Sequence, residues 1–344
     1  MSRKQAGLLA GAAAGLMSIG YSGAKVLAWA DRRRHGVSPD LSAEALVDLA
    51  EPDGARHRTL ATHDGGKIHL VEAGDASAPP IVLLHGVTLS ATIWNHQLAD
   101  LVEHHRVIAV DLRGHGKSTP GREGYGLNQL ADDIATVLRD LDLMGAVLVG
   151  HSMGGMAVMN FCRRHADVLY RRVNGIVFMS TAASDVASGP ASSPFRLGRL
   201  FAEKSPELAA KAYQGVPGDL GYVMLRLGFG KSPSPLWVEQ VRTLLAGTSP
   251  TAVARSTLAL LDHDERKVLR SLELPVLAMV GTSDLVTPIR QSRLIAELVP
   301  GGRLEELEGA GHLLMLERRA EVSGELLMFA ATCRPRQPKR SVRR

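Results

Sequence analysis

The 344-residue sequence has only two cysteines, Cys162 and Cys333, and this scarcity limits the chemistry it can support. One cysteine lies in a predicted helix and the other near the C-terminus, which does not indicate a disulfide framework or a cysteine-rich metal site. The sequence also lacks the HExxH, EF-hand and paired CxxC patterns that hold metals in many proteins. We therefore predict no metal site.

Two glycine-containing stretches lack residues that nucleotide-binding loops require. "DLRGHGKS" (111–118) has Asp111 where a phosphate-binding loop needs its first glycine. "GHSMGG" (150–155) has Ser152 in place of the second glycine of a dinucleotide fingerprint. We therefore predict no cofactor. The first stretch is interpreted instead as a structural turn that Asp111 and Arg113 anchor by hydrogen bonds.

Acidic residues are nearly absent from both ends of the chain. Residues 1–35 carry six Lys/Arg and one acid, and residues 334–344 carry six Lys/Arg and none. Because the whole chain has a net charge of +5, subtracting these ends leaves −6 for residues 36–333. An acidic body argues against a nucleic-acid-binding surface. The basic ends favour contact with an anionic membrane, whereas the alternative for 334–344 is a solvated tail.

Charge is also missing from residues 5–24, which run for 20 positions without Asp, Glu, Lys or Arg. This length suits a membrane or interfacial helix, so we predict membrane contact through this segment. The alternatives are a helix packed on the domain or on a partner, and a signal peptide ending near "AWA". Arg32–Arg34 would resist translocation, which favours a cytoplasmic or membrane-associated protein on the cytoplasmic face over a secreted one.

Apolar runs separated by helical patterns indicate the fold class. Residues 57–74 predict a hairpin around Asp64-Gly65-Gly66. Nearly continuous apolar runs predict strands buried on both faces of a parallel sheet, and helical patterns lie between them. The sequence therefore predicts an α/β fold with helices on both faces of a mostly parallel sheet. The predicted strands are 79–86, 106–114, 145–152, 173–181 and 274–282, and the clearest helices are 127–142 and 154–166.

One connection in this series is too long for a plain crossover. Residues 182–273 separate the last two predicted strands by 92 positions, and the stretch has a helical character. We predict that it is an inserted helical cap. The domain prediction is an N-terminal apolar helix at 1–35, a core at 36–181 and 274–333, this cap, and a basic tail at 334–344.

The motif "GHSMG" (150–154) follows a predicted strand and precedes a predicted helix. In this context G-x-S-x-G is typical of a nucleophile elbow, a sharp turn that exposes the serine hydroxyl at the edge of the sheet. Gly150 and Gly154 supply positions without side chains where the turn is crowded. Ser152 is therefore the candidate nucleophile.

A nucleophilic serine needs a histidine base and an acid that orients it, in the chain order Ser, Asp/Glu, His. "GTSDLVTP" (281–288) places Asp284 just after a predicted strand, and "GAGHLLMLE" places His312 in a glycine-rich loop. The predicted triad is Ser152, Asp284 and His312. Asp185, just past the preceding strand, remains a rival for the acid.

An oxyanion hole requires two backbone N–H donors. The first is expected from Met153, immediately after the nucleophile. The second is expected from "HGVTLSATIW" (85–94), with Val87 as the donor and Gly86 letting the loop curl over the site.

Together these motifs resemble the α/β-hydrolase superfamily, in particular its capped serine-esterase, lipase and C–C-bond hydrolase branch. The resemblance covers about residues 57–330. It implies a serine hydrolase that cleaves carboxylic esters of acyl or lipid-like substrates through an acyl-enzyme. Alternatives are thioester, C–C-bond or perhydrolase-type chemistry with the same triad, and a non-catalytic binding protein on this fold. The motifs are "LLHGVTLSATIW", "VIAVDLRGHGKST", "LVGHSMGG", "GTSDLVTP" and "GAGHLLMLE".

Overall fold

A computed structural model describes residues 23–34, 49–185 and 218–333. At its centre is one eight-stranded sheet in the order β1-β2-β4-β3-β5-β6-β7-β8. The first two strands pair antiparallel and β2 runs antiparallel to β4, whereas all pairs from β4 to β8 are parallel. The predicted α/β class is confirmed. The strands are β1 (Arg56–Ala61), β2 (Lys67–Ala73), β3 (Pro80–Leu84), β4 (Arg106–Val110), β5 (Ala146–His151), β6 (Val173–Met179), β7 (Val276–Gly281) and β8 (Arg303–Leu307).

Helices cover both faces of this sheet. The short 3-10 helix Ala91–Trp94 follows β3, and the remaining helices are numbered along the chain. They are α1 (23–34), α2 (Asn95–Leu101), α3 (Leu127–Asp140), α4 (Met153–Arg164), α5 (Ala166–Arg172), α6 (Gly218–Arg226), α7 (Pro235–Gly247), α8 (Pro250–Leu260), α9 (Arg266–Leu269), α10 (Ile289–Leu298), α11 (Leu314–Glu317) and α12 (Arg319–Thr332).

The continuous apolar runs of the central strands have a structural cause. In β3, Val82 and Leu84 join the hydrophobic cluster on one face of the sheet, whereas Ile81 and Leu83 join the cluster on the other. Successive side chains of a strand point to opposite faces, so a strand covered on both sides must be apolar at every position. This confirms the prediction of strands buried on both faces.

The edge strand β8 was not among the predicted strands. Its sequence, RLEEL, is mostly half-buried or exposed and has only one buried position, Leu307. An edge strand with one partner can carry charged residues, so it lacks the apolar run that identified the inner strands. Its pairing with β7 brings the loop that follows β8 next to the loop that follows β7.

Between β6 and β7 the described residues form the four helices α6–α9. Tyr222 and Phe229 are buried there and belong to the hydrophobic cluster on one face of the sheet. Phe195, Phe201 and Tyr213 lie outside the described residues. The insert is helical where it is described, and its role as a cap over the site stays a prediction.

The loop after β4 contains the predicted structural turn. Arg113 is buried and forms two hydrogen bonds with Asp133, of 2.7 and 2.6 Å, and one of 3.0 Å with Asp64. Asp111 accepts hydrogen bonds from the backbone N–H groups of Ala91 (2.6 Å) and Lys117 (2.8 Å). These contacts confirm that Asp111 and Arg113 anchor this loop, and they also tie it to the loop after β3.

At the N-terminus, helix α1 buries Ala24 and Ala28 against the rest of the protein. Most of the predicted membrane segment 5–24 lies outside the described residues, as do residues 35–48 and the tail 334–344. None of the helices in the described ranges is long and apolar enough to span a bilayer.

Candidate active site

Ser152 lies at the junction between β5 and α4 and has a strained backbone. Its φ of 51° and ψ of −118° are unfavourable for a residue with a side chain. Its N–H donates to the carbonyl oxygen of Met179 in β6 (3.0 Å), and its own carbonyl accepts from Thr181 Oγ1 (2.7 Å). The neighbouring strand therefore holds the turn in this conformation at the carboxyl edge of the sheet.

The glycines around Ser152 make room for this turn. A Cβ on Gly150 would lie 2.6 Å from Gly155 Cα, and a Cβ on Gly154 would collide with the Leu84 carbonyl oxygen. A Cβ on Gly86 would lie 3.0 Å from Ser152 Cβ, so the loop after β3 packs directly on the serine. The sharp strand–turn–helix expected from the motif is present, and each of its predicted glycines has a steric reason.

His312 contacts the predicted acid. Its Nδ1 lies 2.9 Å from Asp284 Oδ2, and both side chains are buried. A carboxylate can only accept a hydrogen bond, so His312 Nδ1 carries a proton and the neutral form of the ring has its lone pair on Nε2. A ring in this state can act as a base through Nε2.

Asp284 accepts several hydrogen bonds besides the one from His312. The N–H groups of Val286 (2.8 Å) and Thr287 (2.9 Å) donate to its Oδ1, and Thr287 Oγ1 donates to its Oδ2 (2.9 Å). Burial disfavours the charged carboxylate, but the interaction with His312 and the donors from Thr287 outweigh it and lower the pKa of Asp284. Asp284 is thus a carboxylate held in one orientation.

The rival acid Asp185 lies elsewhere. Its side chain is 59% exposed and accepts a hydrogen bond from Ser184 Oγ (3.1 Å). His312 makes its carboxylate contact with Asp284, and of the two candidates only that one is in its reach.

His151 connects the nucleophile and the histidine. This residue precedes Ser152, and its Nε2 donates to the carbonyl oxygen of His312 (2.9 Å). The two imidazole rings lie 4.7 Å apart between centroids. Burial lowers the pKa of His151 well below its usual value, so the ring is neutral. Within the described residues no hydrogen bond joins the Ser152 hydroxyl to the His312 ring, whereas the His151 side chain links the two segments.

Two backbone N–H groups beside Ser152 have no acceptor in the parts of the chain that the structure describes. They belong to Met153, the first residue of α4, and Val87, in the loop after β3. The Leu89 N–H donates to the Gly86 carbonyl (3.3 Å), and Asp111 holds the Ala91 N–H, so this loop is fixed on both sides of its turn. Both N–H groups are thus free of a described acceptor, and their role as oxyanion donors stays a prediction.

Comparison with known proteins identifies the family. The family model described as "alpha/beta hydrolase fold" matches residues 79–319, well over half of the chain. A bifunctional esterase/perhydrolase from Acinetobacter calcoaceticus is 31% identical over 277 residues, which cover 78% of this chain and 98% of that protein. This chain belongs to the α/β hydrolase family.

Two further members show the range of this family. A non-heme chloroperoxidase from Streptomyces lividans is 30% identical over 278 residues, covering 79% of this hydrolase and 98% of its relative. An esterase from Exiguobacterium antarcticum has a similar structure, with a TM-score of 0.69, 25% identity, and coverage of 80% of this chain and 100% of that one. The hydrolase is an enzyme, as its sequence predicts, and esterase-type activity is supported.

Three residues that hold the site together were not assigned from the sequence. His151 occupies a variable position of G-x-S-x-G, and Thr287 follows Asp284 by three positions. The third, Glu317, accepts from the N–H groups of Gly230 (2.7 Å) and Gly311 (3.1 Å), and so joins the insert to the loop that carries His312. Burial raises the pKa of Glu317. These residue types are common in loops and helices, and only their spatial neighbours reveal what they do.

Proposed function

We propose that this α/β hydrolase is a serine esterase that cleaves carboxylic esters of acyl substrates through an acyl-enzyme. The observation that carries the proposal is the 2.9 Å hydrogen bond between His312 Nδ1 and Asp284 Oδ2, at a site where Ser152 occupies a strained strand-to-helix turn. Nucleophilic acyl transfer requires a base–acid pair and N–H donors for the oxyanion, and the strained turn is typical of the nucleophile in this fold.

In the proposed mechanism, His312 Nε2 removes the proton of the Ser152 hydroxyl as Ser152 Oγ attacks the ester carbonyl carbon. The contact between these two groups has to tighten on substrate binding, which is common because catalytic hydrogen bonds are often long without substrate. His312 then donates its proton to the leaving alcohol, and the C–O bond breaks to leave the acyl group on Ser152. Water, activated by the same nitrogen, hydrolyses the acyl-enzyme.

The remaining groups stabilise charge during these steps. The N–H groups of Val87 and Met153 would donate to the oxyanion that forms on the carbonyl oxygen, which typically contributes about 2.7–4 kcal/mol per donor. Asp284 would stabilise the imidazolium form of His312 and keep Nδ1 protonated. Each of the five predicted site residues thus has a defined function in the proposed mechanism.

A second candidate activity is perhydrolysis, in which hydrogen peroxide attacks the acyl-enzyme in place of water and releases a peracid. The similarity to a protein named as a bifunctional esterase/perhydrolase favours this candidate. It uses the same acyl-enzyme, so the two activities differ only in the second nucleophile.

The test is hydrolysis of a p-nitrophenyl ester series of increasing acyl length by the full chain. Ser152→Ala should lower kcat by at least about 10³-fold, because the members of a triad act as a unit. Ser271→Ala, which removes a hydroxyl that donates to the Val268 carbonyl (2.8 Å), serves as the matched control and should leave kcat unchanged.

A fluorophosphonate probe separates failure of the substrate class from failure of the mechanism. Labelling of wild type but not of Ser152→Ala, without ester turnover, would keep the nucleophile and redirect the search to thioesters and vinylogous diketones. If Ser152→Ala retained both labelling and ester hydrolysis, the proposal would be wrong. Adding hydrogen peroxide and measuring peracid then tests the second candidate.

A further inference from the structure

Helix α1 lies outside the matched family region, yet it is bound tightly to the helical insert. Arg32 donates to Asp219 of α6 (2.7 Å) and to Glu239 of α7 (2.8 Å), and its guanidinium lies 4.5 Å from the centre of the Tyr222 ring. Tyr222 in turn donates its hydroxyl proton to Asp31 (2.6 Å). The orientation of α1 on the enzyme is therefore fixed by several charged contacts.

The opposite side of α1 is apolar and exposed. Val26, Leu27 and Trp29 expose 64%, 61% and 57% of their surface, although an amphipathic helix docked on a protein usually turns such residues inward. Here the inward positions are the small residues Ala24 and Ala28, spaced one helical turn apart. The large apolar side chains of this helix thus face away from the protein.

Cations accompany this apolar face. Arg33 and Arg34 are exposed, and the Arg33 guanidinium lies 4.9 Å from the centre of the Trp29 ring. Tryptophan and arginine side by side suit the boundary between lipid headgroups and acyl chains. The rest of the protein, residues 36–333, has a net charge of −6 and would instead be repelled by an anionic surface. The charge distribution therefore favours one orientation, with the N-terminal helix towards the anions.

We propose that the exposed face of α1, formed by Val26, Leu27, Trp29, Arg33 and Arg34, is a docking surface for an anionic lipid bilayer. The chain that precedes this face supports a bilayer as the occupant, because residues 5–24 contain no charge over 20 positions. The surface would act at the interface, with its apolar side chains among the headgroups and its arginines on the lipid phosphates.

This docking surface has a fixed relation to the candidate active site. Helix α6, which α1 contacts through Arg32 and Tyr222, ends at Arg226, and the carbonyl of Gly228 just beyond it accepts from the His312 N–H (2.7 Å). A bilayer on α1 would therefore lie on the side of the enzyme that carries the insert. The proposal itself concerns lipid binding and does not depend on the ester chemistry.

The experiment measures co-sedimentation of the full chain with vesicles of phosphatidylcholine alone or mixed with phosphatidylglycerol. Trp29→Ser should lower the partition coefficient on mixed vesicles about tenfold. This is the value expected when one large apolar side chain is no longer buried in the lipid interface. Arg33→Gln combined with Arg34→Gln should lower binding to mixed vesicles by a similar factor and leave binding to neutral vesicles unchanged. Met328→Ser removes an equally exposed apolar side chain (55%) from α12 and is the matched control.

Circular dichroism and thermal midpoints check that each variant is folded. Selective loss of binding in the α1 variants, with Met328→Ser unaffected, supports the proposal. If the α1 variants bind as well as wild type, residues elsewhere hold the protein on lipid and the proposal is wrong. It is equally wrong if Trp29→Ser changes only the oligomeric state measured by light scattering, because the face would then bind a second copy of the chain.

Discussion

The loops after β6 and β7 look alike in the sequence and differ completely in the structure. Each follows a buried parallel strand at the carboxyl edge of the sheet, and each carries an aspartate that could orient a catalytic histidine. The Asp284 side chain has no exposed surface, whereas that of Asp185 is 59% exposed. Although the two positions look equivalent in the sequence, Asp284 is a buried hydrogen-bond acceptor and Asp185 is a surface residue.

Strand order explains the difference. His312 lies in the loop after β8, and β8 pairs with β7, so this loop reaches Asp284 directly. The β6 strand lies on the far side of β7, one strand further from β8. Which aspartate can contact His312 thus depends on which strand neighbours β8, and not on the aspartate itself.

Asp284→Asn should have the largest effect and test the comparison most directly. The amide would favour the wrong imidazole tautomer, so we expect kcat to fall by about 10³–10⁴-fold. Asp185→Asn, its matched control, should keep kcat within about twofold. Ester hydrolysis at saturating substrate measures both variants, and the opposite ranking would make Asp185 the acid.

The same substitution should change stability in a pH-dependent way. Because the pKa of Asp284 in the folded state lies below its ordinary value of 3.8, its charge stabilises the fold above that pH. This contribution is lost as the pH falls through the lower folded-state pKa. At neutral pH, Asp284→Asn should therefore cost about 1–3 kcal/mol, since it disrupts hydrogen bonds to a charged group.

Urea denaturation of wild type and Asp284→Asn between pH 7 and pH 3 measures this cost. The difference in free energy of unfolding should stay constant down to about pH 4 and shrink below it. A difference that grew on acidification would mean that the Asp284 carboxyl binds its proton more readily when folded than when unfolded.

Thr287→Val should have a smaller effect on activity. The valine keeps the backbone N–H that donates to Asp284 Oδ1 but loses the hydroxyl that donates to Oδ2 (2.9 Å). One hydrogen bond to a charged group corresponds to about a tenfold loss in kcat. Thr287→Ser retains the hydroxyl and should stay close to wild type. If valine and serine gave equal rates, the backbone donors alone would hold the carboxylate.

The sequence could predict those parts of the fold that have local causes. The elbow follows from the steric need for Gly150 and Gly154, and the inner strands from their burial on both faces. Strand β8 escaped prediction because an edge strand tolerates the charges of RLEEL, so the sequence predicted Asp284 but kept Asp185 as a rival. Both aspartates follow buried strands, so the sequence could name both as candidate acids. Only the pairing of β8 with β7, which is a long-range contact, shows that Asp284 is the one that contacts His312.

For residues 5–24 the sequence left open a helix packed on the domain, and helix α1 (23–34), which shares only the end of that segment, packs in this way. Its buried contacts come from Ala24 and Ala28, which look the same in a membrane helix and in a packed one. The charged contacts that fix it join Arg32 to Asp219 and Glu239, about 200 positions away in the chain (|i−j| of 187 and 207). Ion pairs between residues so far apart in the chain cannot be predicted from a local sequence pattern.

Asp185→Asn should have the smallest effect of all on stability, within about 0.5 kcal/mol of wild type. Its carboxylate lies 4.0 Å from Arg266 Nη1, and both side chains are exposed. Arg266 would keep its closer partner Asp264, whose Oδ1 accepts from Nε at 2.9 Å, so no cation is left unpaired. Asparagine also tolerates the φ of 53° at this position, so the substitution should add no backbone strain.

Urea denaturation of wild type and Asp185→Asn measures the change in free energy of unfolding. A decrease above about 1 kcal/mol is more than an exposed ion pair contributes. Such a decrease would show that the loop after β6 depends on its aspartate as the loop after β7 does.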